Sequence, residues 1–223
     1  MNVSQAVRAR RSIRAFLNKP VPEALLKEVV ELASRAPSGG NLQPWRIYVV
    51  SGLPLANFKI RMAERLTVNP DSDPLEYHVY PASLWEPYRA HRFRVGEQLY
   101  ALMGTSREDK AGRIRWFQRN YQFFGAPVAL FTYIDNRMGK PQWSDLGMYL
   151  QTVMLLLQER GVDSCAQECW SNYHAEVRAL LNPPAELMLF CGMAIGYADY
   201  EAPLNRLVTE RAPLGEFASF LGF

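Results

Sequence analysis

Two stretches of the chain concentrate polar groups that can do chemistry. Near the N-terminus, Arg8 is followed by Arg10-Arg11-Ser12-x-Arg14, which crowds four fixed positive charges into seven residues. Guanidinium forks match phosphate oxygens, and the Ser12 hydroxyl adds a short hydrogen bond to the same kind of anion. A run of this sort also reads as a solvated charged face, and by itself it does not decide between the two. Further on, Pro37-Ser38-Gly39-Gly40-Asn41-Leu42-Gln43-Pro44-Trp45 sets two glycines among Ser, Asn and Gln. Such a loop exposes backbone and side-chain groups suited to the edge of a heteroaromatic ring, although an ordinary helix-to-strand connection has the same composition.

Other chemistries lack their residues. His78, His91 and His174 show no ligand spacing with one another or with Cys165, Cys169 and Cys191, so a zinc or iron site is not expected. The sequence holds no Gly-x-Ser-x-Gly, no Walker loop and no Gly-x-Gly-x-x-Gly. An enzyme without a metal or nucleophile motif must borrow its reactivity, and a flavin ring performs hydride and electron transfer unaided.

The elements that position these stretches follow from periodicity and punctuation. At 223 residues, 48% hydrophobic and 21% charged, the chain has the profile of one globular domain with a sizeable core. Its net charge of +3 is too small to argue for nucleic acid. The apolar stretch from Met148 to Leu157 is bounded and interrupted by glutamines and is too short for a bilayer, and the N-terminus has no signal-peptide core, so the expected location is the cytoplasm, away from membranes. The three cysteines read as small buried hydrophobes. Leu25, Leu26, Val29, Val30, Ala33 and Ala36 predict a helix over Pro22–Ala36 ending at Pro37. A strand follows at Arg46–Val50. Asn69–Pro87, with four prolines and no period, reads as a surface excursion whose Tyr77, Tyr80 and Trp85, with Tyr88 just beyond, either cover a ligand or pack on one another. Ser106 and Asp109 resemble a capping box for a helix through Ile114, Phe117, Tyr121 and Phe124, leading into a strand at Pro127–Ile134. Ser144 is expected to cap an apolar helix stopped by Gly161, and strands at Val162–Ala166 and Leu187–Tyr197 flank a helix begun by Ser171. Irregular alternation of helix and strand gives an α+β class. The tail from Asp199 to Phe223 carries apolar residues too sparse for a core of their own, which makes a homodimer the physical default.

Arg-Arg-Ser-Ile-Arg-Ala-Phe followed by Ala-Pro-Ser-Gly-Gly-Asn-Leu-Gln-Pro-Trp resembles the nitroreductase family of FMN-dependent enzymes. Phe124–Val128, Gln142-Trp143, Gly161-Val162-Asp163 leading to Glu168, and Thr209–Leu214 agree in order and spacing, so the resemblance spans nearly the whole chain. It implies an α+β fold with a central mixed sheet flanked by helices, built as an intertwined homodimer with two FMN sites at the subunit interface. The resemblance also implies that Arg10, Arg11 and Ser12 lie near the phosphate and ribityl chain, Arg14 near the pyrimidine edge, and Arg211 on the phosphate. Pro37, Ser38, Gly39 and Asn41 correspond to the loop that reaches the flavin of the other subunit, and Gln142 to a polar position beside the ring. Gln167 and Glu168 correspond to the segment whose backbone N–H faces the reactive flavin nitrogen. The implied activity is ping-pong transfer of electrons from NADH or NADPH to a small acceptor, a nitroaromatic or a quinone.

The chain departs from that pattern in places. Cys169 stands where glycine is common, and either crowds the ring or points into the core. Thr209 stands where some members of the family carry a phosphate-binding lysine, which shifts weight onto Arg11 and Arg211. Other reactions of the superfamily, reductive dehalogenation and flavin degradation, stay as alternatives, and a non-catalytic anion-binding protein is a further one.

Overall fold

The computed structural model describes residues 1–223. Its elements are α1 (Val3–Ala9), α2 (Glu23–Ala33), β1 (Arg46–Ser51), α3 (Gly52–Val68), α4 (Tyr88–Leu102), α5 (Lys110–Gln118), β2 (Val128–Asp135), α6 (Lys140–Glu159), β3 (Asp163–Gln167), α7 (His174–Leu181), β4 (Leu187–Gly196) and α8 (Leu214–Phe217). Short 3-10 turns cover Gly39–Asn41, Arg119–Gly125, Glu168–Tyr173 and Pro203–Arg206. No helix is long and apolar enough to cross a membrane.

The strands form one sheet in the order β1-β2-β4-β3, every neighbouring pair antiparallel. The parallel component expected of a mixed sheet is confined to an isolated bridge between Ser12 and Ser164, where the N-terminal segment runs along β3. Strand β2 is buried on both faces because side chains alternate across the sheet. Ala129, Phe131 and Tyr133 enter a cluster with Phe58 and Met62 of α3, Phe123 and Trp170. Val128 and Leu130 enter the opposite cluster, with Leu26, Val29 and Ala33 of α2 and Leu150, Val153 and Leu157 of α6. The sheet is thus the middle layer of an α+β sandwich. Gly192 of β4 belongs to its packing, because a Cβ there would lie 2.3 Å from Cδ1 of Trp170.

Several predicted boundaries are corrected by local chemistry. Helix α5 is capped by Asp109, whose Oδ1 accepts from the Gly112 N–H at 2.7 Å, and Ser106 is not its cap. The helix predicted through Phe124 stops at Gln118, since the 3-10 turn that follows puts Phe123 and Phe124 in left-handed backbone and turns both rings into the core. Helix α6 begins at Lys140 rather than at Ser144, because Oε1 of Gln142 accepts from the Gly139 N–H at 3.1 Å and closes the first turn. Ser144 lies inside the helix and donates to the Pro141 carbonyl at 2.6 Å. Ser171 sits within a 3-10 turn and donates to the Glu168 carbonyl at 2.9 Å, so α7 starts only at His174. Helices α3 and α4 were not anticipated.

Candidate functional site

The N-terminal segment is held as an extra strand-like edge. The Ile13 N–H donates to the Ser164 carbonyl at 3.1 Å and the Leu17 N–H to the Tyr197 carbonyl at 2.9 Å, while the Ile13 side chain is buried. Buried Asn205 clamps the segment from the other side. Its Oδ1 accepts from the Arg14 N–H at 2.8 Å, and its Nδ2 donates to the carbonyls of Ala15 and Asp199, each at 2.8 Å. Asp163 accepts from the Ala198 N–H at 3.2 Å and from the Tyr200 hydroxyl at 3.3 Å, and burial raises its carboxyl above the usual carboxylate value. The sequence singles out neither Asn205 nor Asp163 as a site residue; both are ordinary polar residues whose value lies in satisfying buried backbone.

This frame sets the arginines apart from one another. Arg10 is half-buried, and its guanidinium is lowered first by burial and then by the neighbouring charge of Arg211. Arg211, exposed, folds back onto Thr209, donating to its hydroxyl at 2.8 Å and to the Glu210 carbonyl at 2.7 Å. Thr209 therefore steadies the arginine rather than contributing a charge of its own. Arg11 turns elsewhere and donates to the Asn205 carbonyl at 3.3 Å, while Arg14 donates to the Ser12 carbonyl at 3.2 Å. None of the four forms an ion pair with a carboxylate. A half-buried Arg10 within reach of the exposed Arg211, with Ser12 on the same segment, is a donor set that fits a phosphate monoester.

From Arg14 the chain opens onto a cleft of about 600 Å³ whose wall also includes Ala166, Gln167, Glu168 and Cys169. The Gln167 side chain is buried, donating to the Asn120 carbonyl at 2.8 Å and accepting from Trp170 Nε1 at 3.3 Å. That leaves its backbone, not its amide group, for the cleft. Glu168 opens a 3-10 turn, where the first N–H groups lack partners within the turn. Its carboxyl is raised by desolvation although it opens to the cleft. Cys169 lines the cleft and packs against the aromatic cluster. Burial pushes its thiol well above the ordinary value, so it is neutral and a poor nucleophile. Leu75, His78, Val79 and Tyr80 of the 69–87 excursion line the same cleft. The root of the excursion is pinned by Asp73, whose Oδ2 accepts from the Ala175 N–H at 2.9 Å, and by Tyr77, whose hydroxyl donates to the Phe190 carbonyl.

Pro37, Ser38, Gly39 and Asn41 lie in a loop tied to α6, the helix whose first turn Gln142 closes. Buried Asp145 of α6 accepts from the Gly39 N–H with both oxygens at 3.3 Å, and Ser38 Oγ accepts from the Gln43 N–H at 3.0 Å. Gly40 and Asn41 both adopt left-handed backbone, which Gly and Asn tolerate best. Not one of these five residues lines the cleft of Arg14, Gln167 and Glu168. Within one chain the candidate residues thus fall into the cleft set of Arg14, Gln167 and Glu168, the set of Arg10, Arg11, Ser12 and Arg211 outside that cleft, and the loop and α6 residues.

Residues 7–197 match the profile of the Nitroreductase family. The chain is 36% identical over 220 residues to a 4-nitrobenzoate reductase of Pseudomonas putida, covering 97% of this chain and 94% of that one. Its fold is similar to the crystal structure of the FMN and NADPH-dependent nitroreductase NfnB from Sphigopyxis sp. strain HMH, with a TM-score of 0.96, 50% identity and the whole of both chains covered. It is also similar to the FMN-dependent nitroreductase NfnB from Mycobacterium smegmatis in complex with NADPH, with a TM-score of 0.91 at 31% identity, covering 99% of this chain and 100% of that one. An arginine set without acidic partners, the end of β3 beside it and a likeness running from end to end of the chain agree, and the chain belongs to the nitroreductase family.

Proposed function

We infer that this protein is an oxidoreductase that holds FMN without covalent attachment and uses NADH or NADPH to reduce nitroaromatic compounds. The observation that carries this reading is the N-terminal segment itself, which places Arg14 in the wall of the cleft beside Glu168 and Arg10 within reach of the like charge of Arg211, none of these guanidinia having a carboxylate partner. Arg10, Ser12 and Arg211 hold the phosphate. Arg11 supports the ribityl side from its anchor on Asn205. Arg14 places a positive charge at the pyrimidine edge, where it stabilises negative charge on the ring. The backbone of Gln167 and Glu168 orients the ring, and the pinned Gln167 side chain keeps that backbone in place. When bound, FMN supplies hydride and electron transfer between the nicotinamide and the acceptor.

Pro37, Ser38, Gly39, Asn41 and Gln142 complete the site from the second subunit of a homodimer. The exposed apolar tail supports that assembly, with Phe217 69% and Phe220 64% accessible in the single chain. The 69–87 excursion acts as a lid over the small-molecule acceptor, its root fixed at Asp73 and Tyr77 and its Leu75, His78, Val79 and Tyr80 lining the cleft.

The test is a visible spectrum of the purified protein, with FMN identified after heat release, followed by anaerobic addition of NADPH or NADH. Flavin absorption that bleaches with the nucleotide and returns with a nitroaromatic is the expected result. A colourless protein that FMN cannot reconstitute would overturn the reading.

A further inference from the structure

Across α4 from the flavin cleft lies a second cleft of about 580 Å³, lined by Arg89, Arg92, Arg107 and Arg113 together with Phe93 and Tyr100. Two of these arginines are neutralised, Arg89 by Glu86 at 2.7 Å and Arg113 by Glu97 at 2.8 Å. Arg92 and Arg107 have no carboxylate within ion-pair distance. Each lies over an aromatic ring instead, Arg92 4.3 Å from the centroid of Tyr80 and Arg107 5.5 Å from that of Phe93. Stacking on a ring face restrains a guanidinium while leaving its N–H edge free to donate. A solvated charged face would be convex and would spread its charges; here they converge on a concavity with aromatic walls. Arg92 and Gly96 line both this cleft and the flavin cleft, so the two communicate across one helix, about 10–12 Å wide with its side chains.

We propose that this cleft receives the adenosine end of NADPH, with Arg92 and Arg107 binding the 2′-phosphate and Phe93, half-exposed on α4, providing apolar surface for the adenine. The proposal rests on the reading that the flavin, and so the nicotinamide, occupies the neighbouring cleft. A phosphate dianion brought to two unpaired guanidinia gains charge-assisted hydrogen bonds that the 2′-hydroxyl of NADH cannot replace. The arginine cleft therefore sets a preference for NADPH.

The test uses the FMN-containing protein and its Arg107→Ala variant, since Arg107 lies outside the flavin cleft. With a saturating nitroaromatic, KM for NADPH should rise about tenfold while kcat and the KM for NADH are unchanged. Arg107→Lys, which keeps the charge but not the fork, should restore part of the loss. Calorimetry gives a readout independent of turnover: adenosine 2′,5′-bisphosphate should bind the wild type, Arg107→Ala should weaken it, and adenosine 5′-monophosphate should bind poorly to both. Equal KM shifts for both nucleotides, no shift for either, or no preference for the 2′-phosphate in calorimetry overturns the proposal. A protein that carries FMN and bleaches with NADPH but is indifferent to Arg107 sinks only this proposal, whereas a protein without flavin sinks the reading beneath it.

Discussion

Replacing Arg10 by alanine should loosen FMN without weakening the protein that lacks it. In the structure the Arg10 guanidinium is partly desolvated and faces the like charge of Arg211, and both conditions disfavour its charged form. Removing it from the flavin-free protein relieves repulsion, and the loss is limited to packing by the side-chain stem. In the proposed complex the same residue would give a charge-assisted hydrogen bond to the phosphate, a contribution of about 1.5–3 kcal/mol. At about 1.4 kcal/mol per factor of ten, Kd for FMN should rise about ten- to a hundredfold. Arg211 is exposed, so its removal should fall at the lower end of that range. Stabilisation by ligand scales as the logarithm of its concentration over Kd, so a tenfold loss removes about 1.4 kcal/mol of FMN-dependent stability. Fluorescence titration of the flavin-free protein gives Kd, and thermal melts with and without FMN separate the two effects. If the flavin-free variant melts earlier than wild type while Kd stays put, Arg10 is a structural residue and the phosphate lies elsewhere.

Gly192→Ala should destabilise by about 1–3 kcal/mol in urea denaturation, because its Cβ would press 2.3 Å from Trp170 in the closed aromatic cluster. Asp163 has a pH signature: burial raises its carboxyl in the folded state, so its favourable contribution is complete below the ordinary value of 3.8 and is lost as pH rises through the raised one. Asp163→Asn should accordingly stabilise the protein at neutral pH and lose that advantage in acid; an advantage that grows on acidification would contradict the assignment. Co-expression of an Arg10→Ala/Arg211→Ala chain with a Ser38→Ala/Gln142→Ala chain should restore about a quarter of the wild-type flavin sites, since half the dimers are mixed and each mixed dimer rebuilds one shared site of two. Sites contained within one subunit would give no recovery.

The strands were legible because β1, β2 and β4 are apolar or β-branched runs and β3 follows directly on the Gly161 helix stop, and no end differs from expectation by more than one residue. Helix α4 was not, for a physical reason: it buries only Leu99 and carries charge almost all round, so no stripe distinguishes it from a loop. Helix α3 does carry a stripe of Leu55, Phe58, Met62 and Leu66, and Pro54 in its first turn, where proline is tolerated, obscured it. The aromatic run ending in Phe124 has helical spacing but folds as left-handed turns, a case of tertiary packing overriding period. Residue types at the site were readable, yet the meeting of Arg10 with Arg211 joins opposite ends of the chain and leaves no local pattern. Asp145 gave no signal at all, being one acid in an amphipathic helix whose partner is a backbone N–H of a distant loop.

These separations have one physical origin. In its tail from Asp199 onward, the chain buries Leu204, ties buried Asn205 to the N-terminal segment, and leaves Leu214, Phe217, Phe220 and Leu221 exposed. Val3 and Val7 of α1 are exposed as well, at the other terminus. Apolar surface of that extent on both ends costs free energy in water that a second copy can remove, at about 25 cal/mol per Å² covered. The Pro37–Asn41 loop is held rigid by Asp145 yet lines no part of its own chain's cleft, so its fixed geometry does nothing for a site within one subunit. Dimerisation would cover the apolar termini and bring that loop to the arginines of the partner in a single step. Flavin bound between the subunits then adds an anion to a cluster of cations that the chain leaves unpaired, so cofactor affinity and subunit association should rise and fall together.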